Sequence, residues 1–504
     1  MTFLQRNIIA NFSGSVWQAL MALIFIPLYI KFMGVESYGI VGISATLLMI
    51  FGLLDMGLSN TLNREMARLS VLPDKEQEMR NLVRTLEVIF WSIAVFVGIT
   101  VVSLSPFLAH QWVKAEQLSP KTIEQALLIM GFVIALQMPI GFYSGGLMGL
   151  QRQVLLNVIN VGISTLRGAG AVLILWLISP TIQAFFYWQF AMSTIHTSLL
   201  SLFLWRRLPF GEKRAVFQKE LLKGVWRFAA GMSGITILAL ILTQLDKIIL
   251  SKMLSLEMFG YYTLASVVAM SLGRLFTPIF YSIYPRFTQL VSIGDQEKLK
   301  QLYHYSCQFM SVLILPVAIV IALFSHEILL IWTQNNATAN KAYLLVSILI
   351  CGTALNGLMN LPYALQLAFG WTRLSFFKNV IAVILLVPLI IYMTTHYGAT
   401  GAASIWVVLN LGYFFFEIPI MHRRLLPEEK WRWYWKDVCV PLAASIFLAG
   451  LGRIFVNGPM SQFMILLNLV IITVLTFGIT AIITPATRGL LFEQLLKIKL
   501  VSGN

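Results

Sequence analysis

The chain has 504 residues, 58% of them hydrophobic and 11% charged, with a mean hydropathy of +0.81. A soluble protein of this length carries roughly a quarter charged residues, so a soluble globular chain is excluded. The net charge of +15 does not argue for nucleic acid, because no Arg/Lys-rich soluble domain exists to carry it and the cations follow the polar loops instead.

Apolar runs of about 20 residues, each enough to cross a bilayer as a helix, recur from end to end. In chain order they predict an all-α polytopic membrane protein of about fourteen spanning helices. These lie at 10–33, 37–58, 85–108, 122–147, 153–178 and 180–204, then at 226–250, 258–285, 306–331, 341–368, 374–395 and 398–421, with a last pair at 437–456 and 462–484. The implied organisation is an N-terminal lobe (1–204), a cytoplasmic linker (205–225), a C-terminal lobe (226–421), an extra helix pair (437–484) and a tail (485–504). The first run follows Arg6 with no A-x-A site behind it and reads as a retained helix rather than a signal peptide. A cytoplasmic N-terminus places most of the 36 Lys and Arg on the inner side, as the positive-inside rule expects, and an even helix number returns the C-terminus there. The longest polar connections, 59–84, 205–226 and 286–305, read as short helices lying on the anionic inner leaflet. Cys307, Cys351 and Cys439 are scattered among apolar segments, which suggests neither a disulfide framework nor a metal site, and no cofactor is expected.

The stretch from about Arg227 to Pro285 echoes the start of the chain. Val35-Glu36-Ser37-Tyr38-Gly39 parallels Leu256-Glu257-Met258-Phe259-Gly260 at a constant spacing of 221 residues. Pro139, Gly149 and Arg152 recur as Pro362, Gly370 and Arg373, allowing a two-residue gap. Six helices per unit is an even number, so both units enter the membrane from one side. Such a parallel repeat supports two six-helix lobes rocking around a central cavity. Prolines within predicted spans (Pro27, Pro139, Pro278, Pro316, Pro362, Pro388, Pro419) fit either structural kinks or hinges.

Polar residues inside the helices carry the functional reading. Arg167 and Arg274 fall near the midpoints of their helices, where an arginine costs about 2.5–3.5 kcal/mol on insertion scales, so each should face a wet cavity or a partner. Neither has an acidic residue one turn away, and a guanidinium is a bidentate partner for phosphate. Asn157, Asn160, Ser164 and Arg167 step by three, four and three onto one helical face. Thr353-Asn356-Asn360-Tyr363 and Asn410-Tyr413-Glu417 form similar stripes, and Ser233, Thr236, Thr243 or Gln244, and Lys247 a looser one. The plainer alternative for any single Asn or Thr is an interhelical hydrogen bond worth about 0.6 kcal/mol. Asp55, Asp246 and Glu417 lie toward helix ends and read equally as solvated interface residues or as sites for a coupling proton or sodium ion. Nucleophile elbows, P-loops, H-E-x-x-H and nucleotide-binding domains are all absent, which argues for transport rather than catalysis.

Three segments resemble a known family: GLLDMGLSNTLNREMARLS (52–70), QLDKIILSKMLSLEMFGYYTLA (244–265) and RLFTPIFYSIYPRFTQL (274–290). They resemble the Wzx-type oligosaccharide flippases, in the multidrug/oligosaccharidyl-lipid/polysaccharide exporter superfamily that also holds lipid II flippases and multidrug exporters. The likeness covers helices one to twelve, and the final pair matches the longer members. It implies a non-enzymatic protein of the bacterial inner membrane that flips an undecaprenyl-diphosphate-linked oligosaccharide from the cytoplasmic to the periplasmic leaflet, for O-antigen, capsule or exopolysaccharide. Membrane lipids, a coupling ion (H+ or Na+) and other polysaccharide-assembly membrane proteins are the implied partners. On that reading Arg167 and Arg274 meet the diphosphate, while Asn157, Asn160, Ser164, Thr353, Asn356, Asn360 and Tyr363 line the sugar path. The competing readings are a cation-coupled drug exporter of the same superfamily and a membrane glycosyltransferase or polymerase.

Overall fold

The computed structural model describes residues 3–55, 57–70, 72–211, 213–221, 244–456 and 460–489. Among them the chain is almost wholly helical and forms no β-strand, only an isolated bridge between Lys114 and Ser255. The reason is the solvent: a backbone in hydrocarbon must satisfy its own N–H and C=O groups, and a helix does so within one segment.

The elements in order are α1 (Phe3–Phe51), kinked at Gly34, then α2 (Leu58–Leu69) and α3 (Glu76–Phe107), which runs on through a π-helical turn to Trp112. Next come α4 (Pro120–Gly149), α5 (Gln153–Leu177), α6 (Ile182–Arg207) and the described part of α7 (244–253). After these come α8 (Leu256–Ser271), α9 (Gly273–Ile293), α10 (Gln296–Leu323), α11 (Ser325–Thr333) and α12 (Asn336–Ala368). The rest are α13 (Thr372–Gly412), kinked at Gly398 and continued by a π-helical stretch (Tyr413–Glu417), α14 (Ile418–Leu425), the short α15 (Lys430–Arg432), α16 (Val440–Ile454) and α17 (Gln462–Ile483).

Among the described residues, ten helical stretches are long and apolar enough to span a membrane. Two of these, Ser13–Asp55 and Arg373–Leu425, each contain two of the helices expected from the sequence. They are split at Gly34 and Gly398, where the backbone leaves the helical region at φ 82° and 59°. The polar tails of helices also extend farther than hydropathy suggested. The chain from 286 to 305 is not a separate interfacial helix, because α9 runs to Ile293 and α10 begins at Gln296 after one tight turn. The described residues of 208–221 are mostly non-helical and lie along α3. There Gln77, Asn81 and Thr85, four apart on one face, accept the backbone amides of Lys213, Val216 and Gln218 at 3.0, 3.1 and 2.9 Å. Polar side chains on α3 supply the partners that helix formation would have supplied. Only 59–84 keeps the expected amphipathic helix, as α2: Leu62, Met66 and Leu69 are buried while Arg64 and Arg68 are exposed.

The chain divides into two compact units, residues 1–260 and 261–504. In the first, α4 packs against α2, α3 and α6, and α5 against α1 and α6. Leu62, Met66, Leu86, Phe90, Phe142 and Leu204 fill its core. In the second, α12 packs against α9, α10, α11 and α13. The final pair, α16 and α17, lies on α10, with Val320, Phe324, Ala449, Leu469 and Ile472 between them and an Arg453–Glu327 ion pair at 2.6 Å.

The sequence echo has a structural counterpart inside the first unit. A Cβ added to Gly39 would lie 2.5 Å from the carbonyl oxygen of Leu256, and one added to Gly260 would collide with the carbonyl oxygen of Val35. The two motifs therefore meet reciprocally, each glycine admitting the backbone of the residue that opens the other motif. Glu36 is buried here and takes the amides of Glu116, Gln117 and Leu118 at 2.5, 2.9 and 3.0 Å. The same loop reaches the second motif, since Leu256 donates its amide to the Lys114 carbonyl at 2.7 Å.

Candidate functional site

In the first unit the polar face of α5 meets α1, α4 and α6. Arg167 donates Nη2 to Ser193 Oγ at 3.4 Å, and its Nε is buried with no hydrogen-bond partner. Gln137 of α4 reaches the same hydroxyl at 3.2 Å. Asn160 Oδ1 is 3.0 Å from His196 Nε2, and Tyr29 of α1 bonds the Gly168 carbonyl at 3.4 Å. Arg167 forms no ion pair among the described residues. A half-buried cation with one weak neutral partner and a spare donor is ready to take an anion. The other members of the stripe are occupied locally: Asn157 Nδ2 bonds the Gln153 carbonyl and Ser164 Oγ the Val161 carbonyl.

In the second unit the Thr353 and Asn410 stripes face each other and largely satisfy one another. Asn356 Nδ2 donates to the fully buried Asn410 at 2.9 Å, Trp406 Nε1 to Thr353 Oγ1 at 3.2 Å, and Asn360 Nδ2 to the Asn356 carbonyl at 3.0 Å. Tyr363 stacks on Phe280 with centroids 6.1 Å apart. Arg274 is exposed in the first turn of α9, just after the helix breaks at Leu272. Asp246 is half-buried in α7. Ser233, Thr236 and Thr243 lie outside the described residues.

Two of the acidic residues have well-defined partners. Asp55 Oδ1 accepts both the amide and the hydroxyl of Ser59 at 2.9 Å, capping the start of α2. Glu417 is buried in the π-helical stretch, where Lys378 reaches both its oxygens at 2.8 and 2.7 Å and Gln366 donates at 2.8 Å. Lys378 also stands 4.4 Å from the Tyr413 ring centroid and 5.6 Å from that of Tyr363. One inserted residue in a helix re-aims the side chains around it, which is what turns Glu417 inward here.

Sequence reasoning missed three polar centres. Lys378, with Gln366 and Ser375, completes the Glu417 cluster. Glu87 of α3 is buried and accepts from Tyr143 (2.7 Å) and Trp205 (3.1 Å), while Arg84 pairs with its other oxygen at 2.9 Å. His304 lies between Asp437 (2.5 Å) and Glu429 (3.0 Å), and Gln308 bridges Asp437 and the amide of Ala486. Each centre draws on helices far apart in sequence, so no spacing signal announces it.

Helices of membrane length, with buried polar clusters between them, define a multi-pass membrane protein. The model of the polysaccharide biosynthesis protein family matches residues 4–291, more than half of the sequence, and the chain belongs to that family. The MatE model matches residues 232–393. Over 404 residues the chain is 22% identical to the Shigella flexneri protein described as "Putative O-antigen transporter", covering 80% of this chain and 94% of that one. Among solved structures it resembles the lipid II flippase MurJ in an inward closed conformation (TM-score 0.69, 14% identity, 95% of this chain and 98% of that one). It also resembles an inward-facing multidrug resistance MATE family transporter of the MOP superfamily (TM-score 0.66, 16% identity, 81% and 95%). At those identities the structural likeness speaks for the fold alone. With the family match it upholds the resemblance to Wzx-type flippases of that superfamily read from the sequence.

Proposed function

We propose that this chain is a flippase that moves undecaprenyl-diphosphate-linked oligosaccharide repeat units from the cytoplasmic to the outer leaflet of a bacterial inner membrane by alternating access. Both termini are placed in the cytoplasm, on the distribution of Lys and Arg. The family, and a relative described as an O-antigen transporter, support the substrate class. The observation that carries the reading is Arg167, a guanidinium inside the polar face of α5 with no acidic partner among the described residues and a buried, unbonded Nε. A drug exporter of the same fold would have more use for a free carboxylate than for a free guanidinium there.

The chemistry divides the substrate in two. Withdrawing the polyprenyl tail from lipid would cost on the order of tens of kcal/mol at about 0.8 per CH₂, so the tail stays in the bilayer. Only the diphosphate and sugars need a polar path. Arg167 and Arg274 serve the diphosphate, and Asn157, Asn160, Ser164, Thr353, Asn356, Asn360 and Tyr363 serve sugar hydroxyls once the lobes part. For coupling to H+ or Na+ the candidates are Asp55, Asp246 and Glu417; Glu417 already holds the Lys378 ammonium, so an ion there would have to displace an internal cation.

The test is complementation of a flippase-deficient strain. Arg167→Ala and Arg274→Ala should each abolish surface polysaccharide and trap lipid-linked repeat units inside, with the protein still inserted and folded. Lys at either position should rescue in part, since it keeps charge but loses the two-oxygen fork. Normal surface polysaccharide from both alanine variants would refute the site.

A further inference from the structure

At the end of the first unit placed on the cytoplasmic side, four chain segments enclose a cavity of about 280 Å³. Its lining includes Leu69, at the end of α2, and Glu76 and Met79 of α3. Arg152 contributes from the turn between α4 and α5, and Arg207 and Pro209 from the end of α6. Two features make it more than a gap. Arg152 approaches from the α4–α5 turn and Arg207 from the end of α6, and neither exposed side chain makes an ion pair or hydrogen bond among the described residues. Arg68 pairs with Glu65, Arg80 with the Pro209 carbonyl and the Trp205 ring, and Arg84 with Glu87; Arg206 and Arg214 are exposed, but they do not line the cavity. Arg152 also occupies the N-cap position of the 25-residue α5, which no side chain caps, so the partial positive charge of that helix end adds to the two guanidinium groups.

We infer that this cavity is a binding site for a phosphate group, held between Arg152 and Arg207 over the α5 N-terminus, its natural occupant being the phosphate headgroup of an anionic inner-leaflet lipid. The cavity is bounded by apolar Leu69, Leu72 and Met79 as well as by the arginines, which suits a headgroup whose glycerol and first methylenes remain attached. Glu76 stands on the wall and opposes an anion. It sets the sign of the test, because neutralising it must strengthen binding. The inference depends on the orientation proposed above but not on the flippase reading, and it is measured on purified protein without transport.

The probes are phosphatidic acid, phosphatidylglycerol and phosphatidylcholine, counted on the detergent-purified full chain by native mass spectrometry, with inorganic pyrophosphate as a soluble competitor. Arg152→Gln and Arg207→Gln should each weaken retention of the two anionic lipids by about fivefold, the scale of one cation near a membrane surface. Glu76→Gln should strengthen it by a similar factor, and phosphatidylcholine should be unaffected. Displacement by pyrophosphate would mark the site as reading phosphate alone, whereas resistance to it would mark a site that also holds the lipid body; both uphold the pocket. The control is Arg214→Gln, an exposed arginine of the non-helical 208–221 stretch that does not line the cavity. If Arg214→Gln weakens retention as much as the pocket variants do, binding is diffuse surface attraction and the inference fails. It fails equally if Glu76→Gln lowers binding or if both pocket variants leave it unchanged.

Discussion

Removing Lys378 should destabilise the protein more than removing Glu417, and removing both should restore most of the loss. Glu417 has a side chain only 2% exposed, and its charge is balanced by one ammonium at 2.7 Å and one amide at 2.8 Å. In Lys378→Met the carboxylate keeps Gln366 alone, and breaking a buried pair from one side costs about 3–5 kcal/mol. Glu417→Gln leaves an ammonium that is 18% exposed and 4.4 Å from the Tyr413 ring centroid, whose face can still hold it, so about half that cost is expected. The double variant, Lys378→Met with Glu417→Gln, leaves no buried charge, and the new carboxamide can still face Gln366. It should come within about 1 kcal/mol of the parent, because an ion pair replaced by neutral groups of similar volume is close to isoenergetic. The assay is reversible unfolding of the purified chain in mixed micelles, analysed as a double-mutant cycle, with surface-polysaccharide complementation run on the same variants. A Lys378→Met variant as stable as the parent, or a double variant no better than that single, would refute the reasoning. A double variant restored in stability yet dead in complementation would assign the pair to transport.

Other outcomes follow from the same packing. Gly39→Ala and Gly260→Ala each push a Cβ onto a backbone carbonyl of the opposite motif, so each should cost about 1–3 kcal/mol and by similar amounts; a loss at one position only would show that the contacts are not reciprocal. Asp55→Asn keeps an oxygen facing the Ser59 amide, so the α2 cap and protein abundance should survive, whereas Asp55→Ala should cost about 1 kcal/mol in unfolding measurements. If Asp55→Asn keeps abundance but abolishes complementation, Asp55 carries the coupling ion. Normal complementation makes it a cap.

The sequence by itself determined the solvent, the class and most of the helices, because these depend on quantities that are local along the chain. A run of about 20 apolar residues states its own length requirement, and loop cations state a side. The break expected at 34–36 between the first two helices falls at the Gly34 kink, and the 221-residue echo marked the two motifs that meet at Gly39 and Gly260. The polar face of α5 was legible too, and on it Arg167 meets Ser193 from α6, whereas Arg274, expected at mid-helix, lies in the first turn of α9. What the sequence could not supply was partnership. Whether a polar residue in a helix is a spare donor or a satisfied one depends on a second helix chosen by packing. Asn356 finds Asn410 54 residues on, Glu417 finds Lys378 39 residues back, and His304 finds Asp437 133 residues on. Periodicity reports which face a residue occupies and nothing about what covers that face. The tertiary structure also decided the local exceptions. The π-helical stretch turns Glu417 inward, and polar groups on α3 hold residues 213–218 out of a helix where the sequence suggested a surface helix. In both places the backbone follows a long-range partner rather than its own propensity, since a buried donor or acceptor without one costs more than a local departure from helix.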